Sequence, residues 1–287
     1  MTKLKIFIAL VFIVCFENNI SLSWGSSVHK KINRFAIEHL SEETKPFFQL
    51  HADWIEQHAN EPDDVRDNNE DSTEAQHHFI DIDYYGTYPF EEMPRDFSAA
   101  VHKFSFDTIT AMGTLPWRIV FVTESLSVAM SKHNSDLILH WSAWLGHYIA
   151  DAHQPLHTVI NYDGQLTEQN GIHWRYESKM MEMFNEQYLF TPSKSEYIAE
   201  PLSFAFQIVL ESYLLSDSIL HSEKKIHEKI ISSQMKATKH YNDEYYAQLN
   251  EQLQRLTREQ IQKATERVAC FWYTAWVNAG KPQLQVR

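Results

Sequence analysis

The chain has 287 residues, 44% of them hydrophobic, and a formal net charge of −13, enough for one large domain or two small ones with a sizeable core. Only seven glycines and nine prolines argue against a turn-rich β fold, and the acidic balance argues against a non-specific nucleic-acid binder, since such proteins are usually basic. An enzyme whose metal ions supply positive charge locally is not excluded.

Residues 1–23 read as a targeting segment. Lys3 and Lys5 give a positive start, the run from Ile6 to Phe16 is apolar but too short to span a membrane easily, and Ser21 and Ser23 form a small-x-small cleavage pattern. Cleavage after Ser23 leaves Trp24 as the new N-terminus. Soluble export, to the medium or a periplasm, is favoured over an uncleaved anchor and over a lipoprotein site at Cys15, because Val14 is a poor residue before such a cysteine. The mature chain, 24–287, then holds only Cys270, so no internal disulfide can form.

"VHKKINRFAIEHL" places Ile32, Phe35, Ala36 and Leu40 at helical spacing. "DVRDNNEDSTEAQ" is polar and reads as a loop. "ESLSVAMSKH", "SDLILHWSAWLGHYIAD" and "PLSFAFQIVLESYLLSDSIL" read as helices, as does the long stretch from about Tyr241 to Val277. "NYDGQLTEQNG" is a loop with an Asp-Gly turn signal. "ACFWYTAWV" reads as the buried face of a terminal helix, with Cys270 as a small core residue rather than a nucleophile. These elements predict one nearly all-α domain, without repeats or long linkers.

The chemistry concentrates in four segments. In "GHYIADAHQPLH", His147 and Asp151 are four apart and share a helical face, while His157 lies just past Pro155, where an ordinary helix stops. In "GIHWRYES", His173 and Glu177 repeat the four-residue spacing. "AQHHFIDID" offers His77, His78, Asp81 and Asp83, and "WGSSVH" offers His29. Zinc takes imidazole nitrogen and carboxylate oxygen, and histidine-carboxylate sets that leave room for water are typical of catalytic sites. His77 and Asp83 read as supporting or surface residues, and His153 as facing away. Tyr84, Tyr85 and Trp174 read as packing residues.

Taken in order, the mature N-terminal Trp24, "HFID", "GHYIADAHQPLH" and "GIHWRYE" resemble the zinc-dependent phospholipases C and the single-strand-specific nucleases of the fungal type. These form one superfamily of mostly helical enzymes with three zinc ions. The resemblance covers Trp24 to Glu177, and no diagnostic motif follows. It implies one zinc held by Asp63, His78 and His147 with Asp151 bridging. It implies a second held by His157, His173 and Glu177, and a third held by the Trp24 amino nitrogen and carbonyl oxygen, His29 and Asp151. "EPDDVRD" also offers Asp64 and Asp67, and spacing alone does not choose among the three aspartates.

The implied activity is hydrolysis of a phosphodiester by an activated water that attacks phosphorus in line, with Asp63 orienting or deprotonating that water. Phe79 and Asp81 are the implied substrate residues, the ring stacking a base and the carboxylate meeting its edge. A free α-amino group has a pKa near ~8, so a metal can deprotonate it, and the Trp24 ligand exists only once the leader is removed. Glu177 as last ligand and the short spacer from His157 to His173 favour a phospholipase C-like substrate. "HFID" and "DAHQPLH" fit the alternative, a single-strand nuclease or nucleotidase. A non-enzymatic zinc-binding protein is the reading from a different class. No protein partner is evident, and a monomer is expected.

Overall fold

The structure, a computed structural model, describes residues 25–233 and 241–285. The expected leader, residues 1–23, and Trp24 lie outside the described residues. Twelve α-helices carry those described, together with 3₁₀ and π turns, and no β-strand occurs among them. In chain order the helices are α1 Ser26–Ala36, α2 Lys45–Leu50, α3 Ala52–Gln57, α4 Glu61–Asp67, α5 Phe97–Phe104, α6 Phe106–Ala111, α7 Leu115–Ser131, α8 Ser135–Ala152, α9 Ile172–Trp174, α10 Met181–Phe184, α11 Pro201–Ser233 and α12 Asp243–Asn278.

α8 is the central element, with α1, α3, α7, α11 and α12 packed around it. Twelve of its eighteen residues are buried, among them the unbroken run from Leu145 to Ala152. α12 supplies the largest core side chain, Trp272. Its ring stacks on Phe48 at 4.8 Å and its Nε1 donates to the Ser142 carbonyl of α8 at 3.1 Å. Burying each such phenylalanine fully contributes about 1.5–3 kcal/mol. "ACFWYTAWV" is indeed a mostly buried face, and Cys270 is half-buried within it.

One glycine sets the approach of α1 to α8. A Cβ on Gly146 would fall on the Asn33 side chain, 2.7 Å from its Cγ, and Asn33 Nδ2 donates to the Ala143 carbonyl at 3.0 Å. Without a side chain at 146 the two helices come close enough for the His29 ring to stack on His147, with centroids 4.0 Å apart and planes at 15°.

The segment read as a polar loop is in part helical. α4 takes Glu61–Asp67, and a 3₁₀ turn takes Glu74–His77. Pro62 is pre-set for the first turn of a helix, and Glu61, Asp63 and Asp64 sit where the helix dipole favours negative charge. Only Pro62 and Asp63 of α4 are buried, so the helix has no apolar period to read. The "NYDGQLTEQNG" stretch is a chain of turns, as its sequence suggests.

Candidate metal centre

α8 ends where Pro155 forces it to. The residue before a proline avoids helical geometry, and Gln154 sits at φ −85°, ψ 110°. The Gln154 side-chain oxygen accepts from the Leu156 amide at 2.8 Å, which closes a 3₁₀ turn over Pro155–Thr158. That turn swings His157 back beside the last turn of α8, so that its Nδ1 is 3.5 Å from Asp151 Oδ1. α9 is started by Asp163, whose carboxylate accepts from the amides of Gly171 (2.8 Å) and His173 (3.2 Å). Arg175 then donates to the carbonyls of Asn170 and Gln169 and to the Glu223 carboxylate, fixing the loop from which His173 projects.

Three groups of buried side chains result: Asp63 with His78 and His147; His29 with His147 and Asp151; and His157 with His173 and Glu177. In the first, Asp63 Oδ1 lies 3.5 Å from His78 Nδ1 and 3.6 Å from His147 Nε2. Asp151 reaches across, with Oδ2 at 3.0 Å from His78 Nδ1 and 3.2 Å from His147 Nε2, and Oδ1 at 3.6 Å from His29 Nε2. In the third, Glu177 Oε2 lies 2.9 Å from His173 Nε2 and 3.4 Å from His157 Nε2, and the two imidazole nitrogens are 3.1 Å apart. Zinc bonds of about 2.0–2.2 Å in a tetrahedron put ligand atoms about 3.3–3.6 Å apart; half of these separations lie in that range and the rest are a few tenths of an ångström shorter.

The donor set itself fits a cation. His147 Nδ1 is engaged by the Ala59 carbonyl at 2.9 Å and His157 Nδ1 by the His78 carbonyl at 2.8 Å. A carbonyl only accepts, so Nδ1 carries the proton and the Nε2 lone pair faces inward, toward carboxylate oxygens. Lone pairs and anions facing one another in a dry site are repulsive unless a proton or a metal ion stands between them. Glu177 Oε1, fully buried, has no hydrogen-bond partner, while its Oε2 accepts from Gln154 Nε2 at 2.7 Å.

The electrostatics point the same way. Burial pushes the His147 imidazole down, but the Asp151 and Asp63 carboxylates outweigh it and lift it to about 9. Burial opposes ionisation of Asp151, yet His147 and His157 hold it well below the usual carboxylate range. Burial lifts the Asp63 carboxyl, against the pull of His147, His78 and Arg66. His29 is driven well below an ordinary imidazole by burial and then by His147, which keeps its nitrogens neutral, as a metal ligand must be.

The remaining residues fall into place around this centre. Asp64 is exposed, whereas Asp63 faces the histidines. Phe79 is half-buried and follows His78 directly. Asp81 is buried, and burial together with Asp83 lifts its carboxyl to about 7. His77 bonds the Thr114 hydroxyl at 2.7 Å, Asp83 accepts from the Ile160 amide at 2.9 Å, and His153 turns to the Ile149 carbonyl and Arg267. Tyr85 is a packing residue, against Phe104. Tyr84 and Trp174 are not, being 48% and 44% exposed.

The sequence reading missed Glu74, Gln154 as a carboxylate holder, Asp163 and Arg175. Glu74 stands four residues before His78, the one spacing signal that could have flagged any of them.

A helical domain with three buried histidine-carboxylate groups sharing residues is of the class that holds a cluster of metal ions. The S1/P1 Nuclease family model matches residues 24–276, and the chain belongs to that family. A comparison with curated proteins gives no match. The chain is thus a zinc-dependent phosphodiester hydrolase with three buried sites able to hold three ions. The family match favours the nuclease reading over the phospholipase C-like substrate that Glu177 and the short spacer suggest.

Proposed function

We propose that the protein is a secreted single-strand nuclease that takes unpaired nucleic acid at its metal centre. The observation that carries this reading is that the residue after His78 in the chain, Phe79, is a half-buried aromatic, and that Asp81, two residues further on, is buried. An aromatic face accepts any unstacked base, and a carboxylate can read a base edge. Tyr162, 46% exposed and edge-on to His173 with ring centroids 5.8 Å apart, offers a second face at the rim. Bases locked in a duplex present neither face, which is the physical basis for preferring single strands.

In this reading Asp63, His78 and His147 hold one zinc, His157, His173 and Glu177 a second, and His29 and Asp151 a third together with Trp24. Gly25, the next residue, donates its amide to the Glu177 carbonyl at 2.9 Å, which supports a first residue near the centre. When bound, zinc neutralises the phosphate and lowers the pKa of water from about 15.7 toward 7. The chain supplies the rest. His147 and His157 are held in the tautomer that presents Nε2. Asp63 orients the attacking water and accepts its proton, while the Arg66 guanidinium, 2.8 Å from Asp63 Oδ1, keeps that carboxylate in place. Three divalent ions against the carboxylates of Asp63, Asp151 and Glu177 leave the centre positive. A polyanion therefore has a local target on an acidic protein.

Removal of a leader at residue 23 fits this proposal, since the family match begins at residue 24. No described helix is long and apolar enough to cross a membrane. The test is a paired assay of protein beginning at Trp24, on single-stranded DNA, on the same sequence as duplex, and on phosphatidylcholine vesicles. Rapid cleavage of the single strand with slow duplex cleavage is the expected result. Lipid turnover without DNA cleavage returns the reading to phospholipase C.

A further inference from the structure

His78 turns its Nδ1 edge to the cluster, 3.0 Å from Asp151 Oδ2 and 3.1 Å from His147 Nε2. A cation held there takes the Nδ1 lone pair, so the ring proton must sit on Nε2. Nε2 is buried and makes no hydrogen bond of ordinary geometry. The acceptor that faces it is Glu74 Oε1, at 3.4 Å, on a side chain 1% exposed.

Glu74 is itself held from two sides. The Tyr148 hydroxyl donates to Oε1, and Arg118 Nη2 donates to Oε2 at 3.1 Å. Arg118 lies over the Tyr148, Phe121 and Trp144 rings, at 5.2, 5.5 and 5.7 Å. Tyr148 follows His147 on α8, and the His78 ring sits edge-on to both of their rings. A carboxylate clamped this firmly can aim only one way.

We propose that Glu74 is a positioning residue for metal binding: it takes the Nε2 proton of His78 in a hydrogen bond, fixes the ring with Nδ1 toward the cluster, and makes that nitrogen a stronger ligand. Arg118 and Tyr148 hold Glu74 for this task. The proposal rests on His78 being a zinc ligand, and it assigns a role to a buried acid that the reaction otherwise leaves unused. Carboxylates behind ligating histidines strengthen metal binding in this way, by roughly 10–100-fold.

The test is a zinc titration against a competing chelator on Glu74→Ala, Glu74→Gln and His78→Ala. It is read together with kcat and KM on bis(p-nitrophenyl) phosphate and with the melting temperature of the zinc-free proteins. Glu74→Ala should weaken one of the zinc-binding steps by about 10–100-fold and lower kcat with little change in KM. Glu74→Gln keeps an oxygen for the Nε2 proton and should recover part of both losses. If Glu74→Ala does not fold, Glu74→Gln and Tyr148→Phe carry the same readings with smaller losses. Parental zinc affinity in the Glu74 variants, while His78→Ala loses zinc, overturns the proposal alone. So does an equal weakening of every step with a lower zinc-free melting temperature, which makes Glu74 a packing residue. Parental zinc binding by His78→Ala instead removes the ligand assignment itself.

Discussion

Gly146→Ala tests whether the contact of α1 with α8 builds the metal centre. The added Cβ would lie 2.7 Å from Asn33 Cγ, about 1 Å inside an ordinary carbon–carbon contact of roughly 3.5–4.0 Å. Asn33 is fully buried and tied to the Ala143 carbonyl, so it cannot swing into solvent. Either α1 retreats by about that 1 Å, or the bond to Ala143 breaks. Overpacking of this kind costs about 1–3 kcal/mol and the lost hydrogen bond about 1 more. Alanine returns about 1 kcal/mol over glycine in a helix interior. The net loss is then about 1–3 kcal/mol, or several degrees in melting temperature for a domain this size. His29 stacks on His147 one turn away from Asn33, so the retreat also opens the site shared by His29 and Asp151. Thermal melts of the zinc-free protein and zinc content by plasma mass spectrometry read the two effects. Asn33→Ala in the same chain makes room for the Cβ and should restore zinc content relative to Gly146→Ala alone, a coupling that a double-mutant cycle isolates. Unchanged stability and full zinc in Gly146→Ala refute the reasoning.

Phe79→Ala should slow single-stranded DNA cleavage by about ten- to a hundredfold, from the ~1–3 kcal/mol of one stacked base, and largely spare bis(p-nitrophenyl) phosphate; equal losses on both reduce Phe79 to a support for His78. A protein that keeps a methionine before Trp24 should bind about one zinc fewer than the three expected and lose most activity, because the α-amino group is then displaced; full zinc content makes Trp24 a mere packed aromatic. In zinc-free protein His147 sits at about 9, above the ordinary imidazole value of 6.5. The stability it adds is therefore complete below pH 6.5 and disappears as the pH rises through 9. The melting temperature of chelated protein should fall across that window while zinc-loaded protein holds its own, and a flat profile for the chelated form contradicts the Asp151–His147–Asp63 coupling.

The sequence by itself determined the local half of the centre. His147 with Asp151, and His173 with Glu177, are four residues apart, and a helical turn brings such pairs together whatever surrounds them. The Gln154-Pro155 step ends α8 and turns His157 back for equally local reasons. Tertiary structure decided everything that depends on distant segments. Asp63, Asp64 and Asp67 are equivalent as letters, and only the packing of α4 beside α8, with Ala59 bonded to His147, turns Asp63 inward and leaves Asp64 in solvent. His29 reaches Asp151 because Gly146 admits α1, and His78 reaches it because the 3₁₀ turn before it packs there. The four-residue spacing brings Glu74 near His78, but its carboxylate is held in place by Tyr148 and Arg118, which lie on other helices. The reason is one of range. Backbone geometry fixes the neighbours of a residue for about one turn, while contacts between residues sixty or more positions apart depend on how whole helices pack.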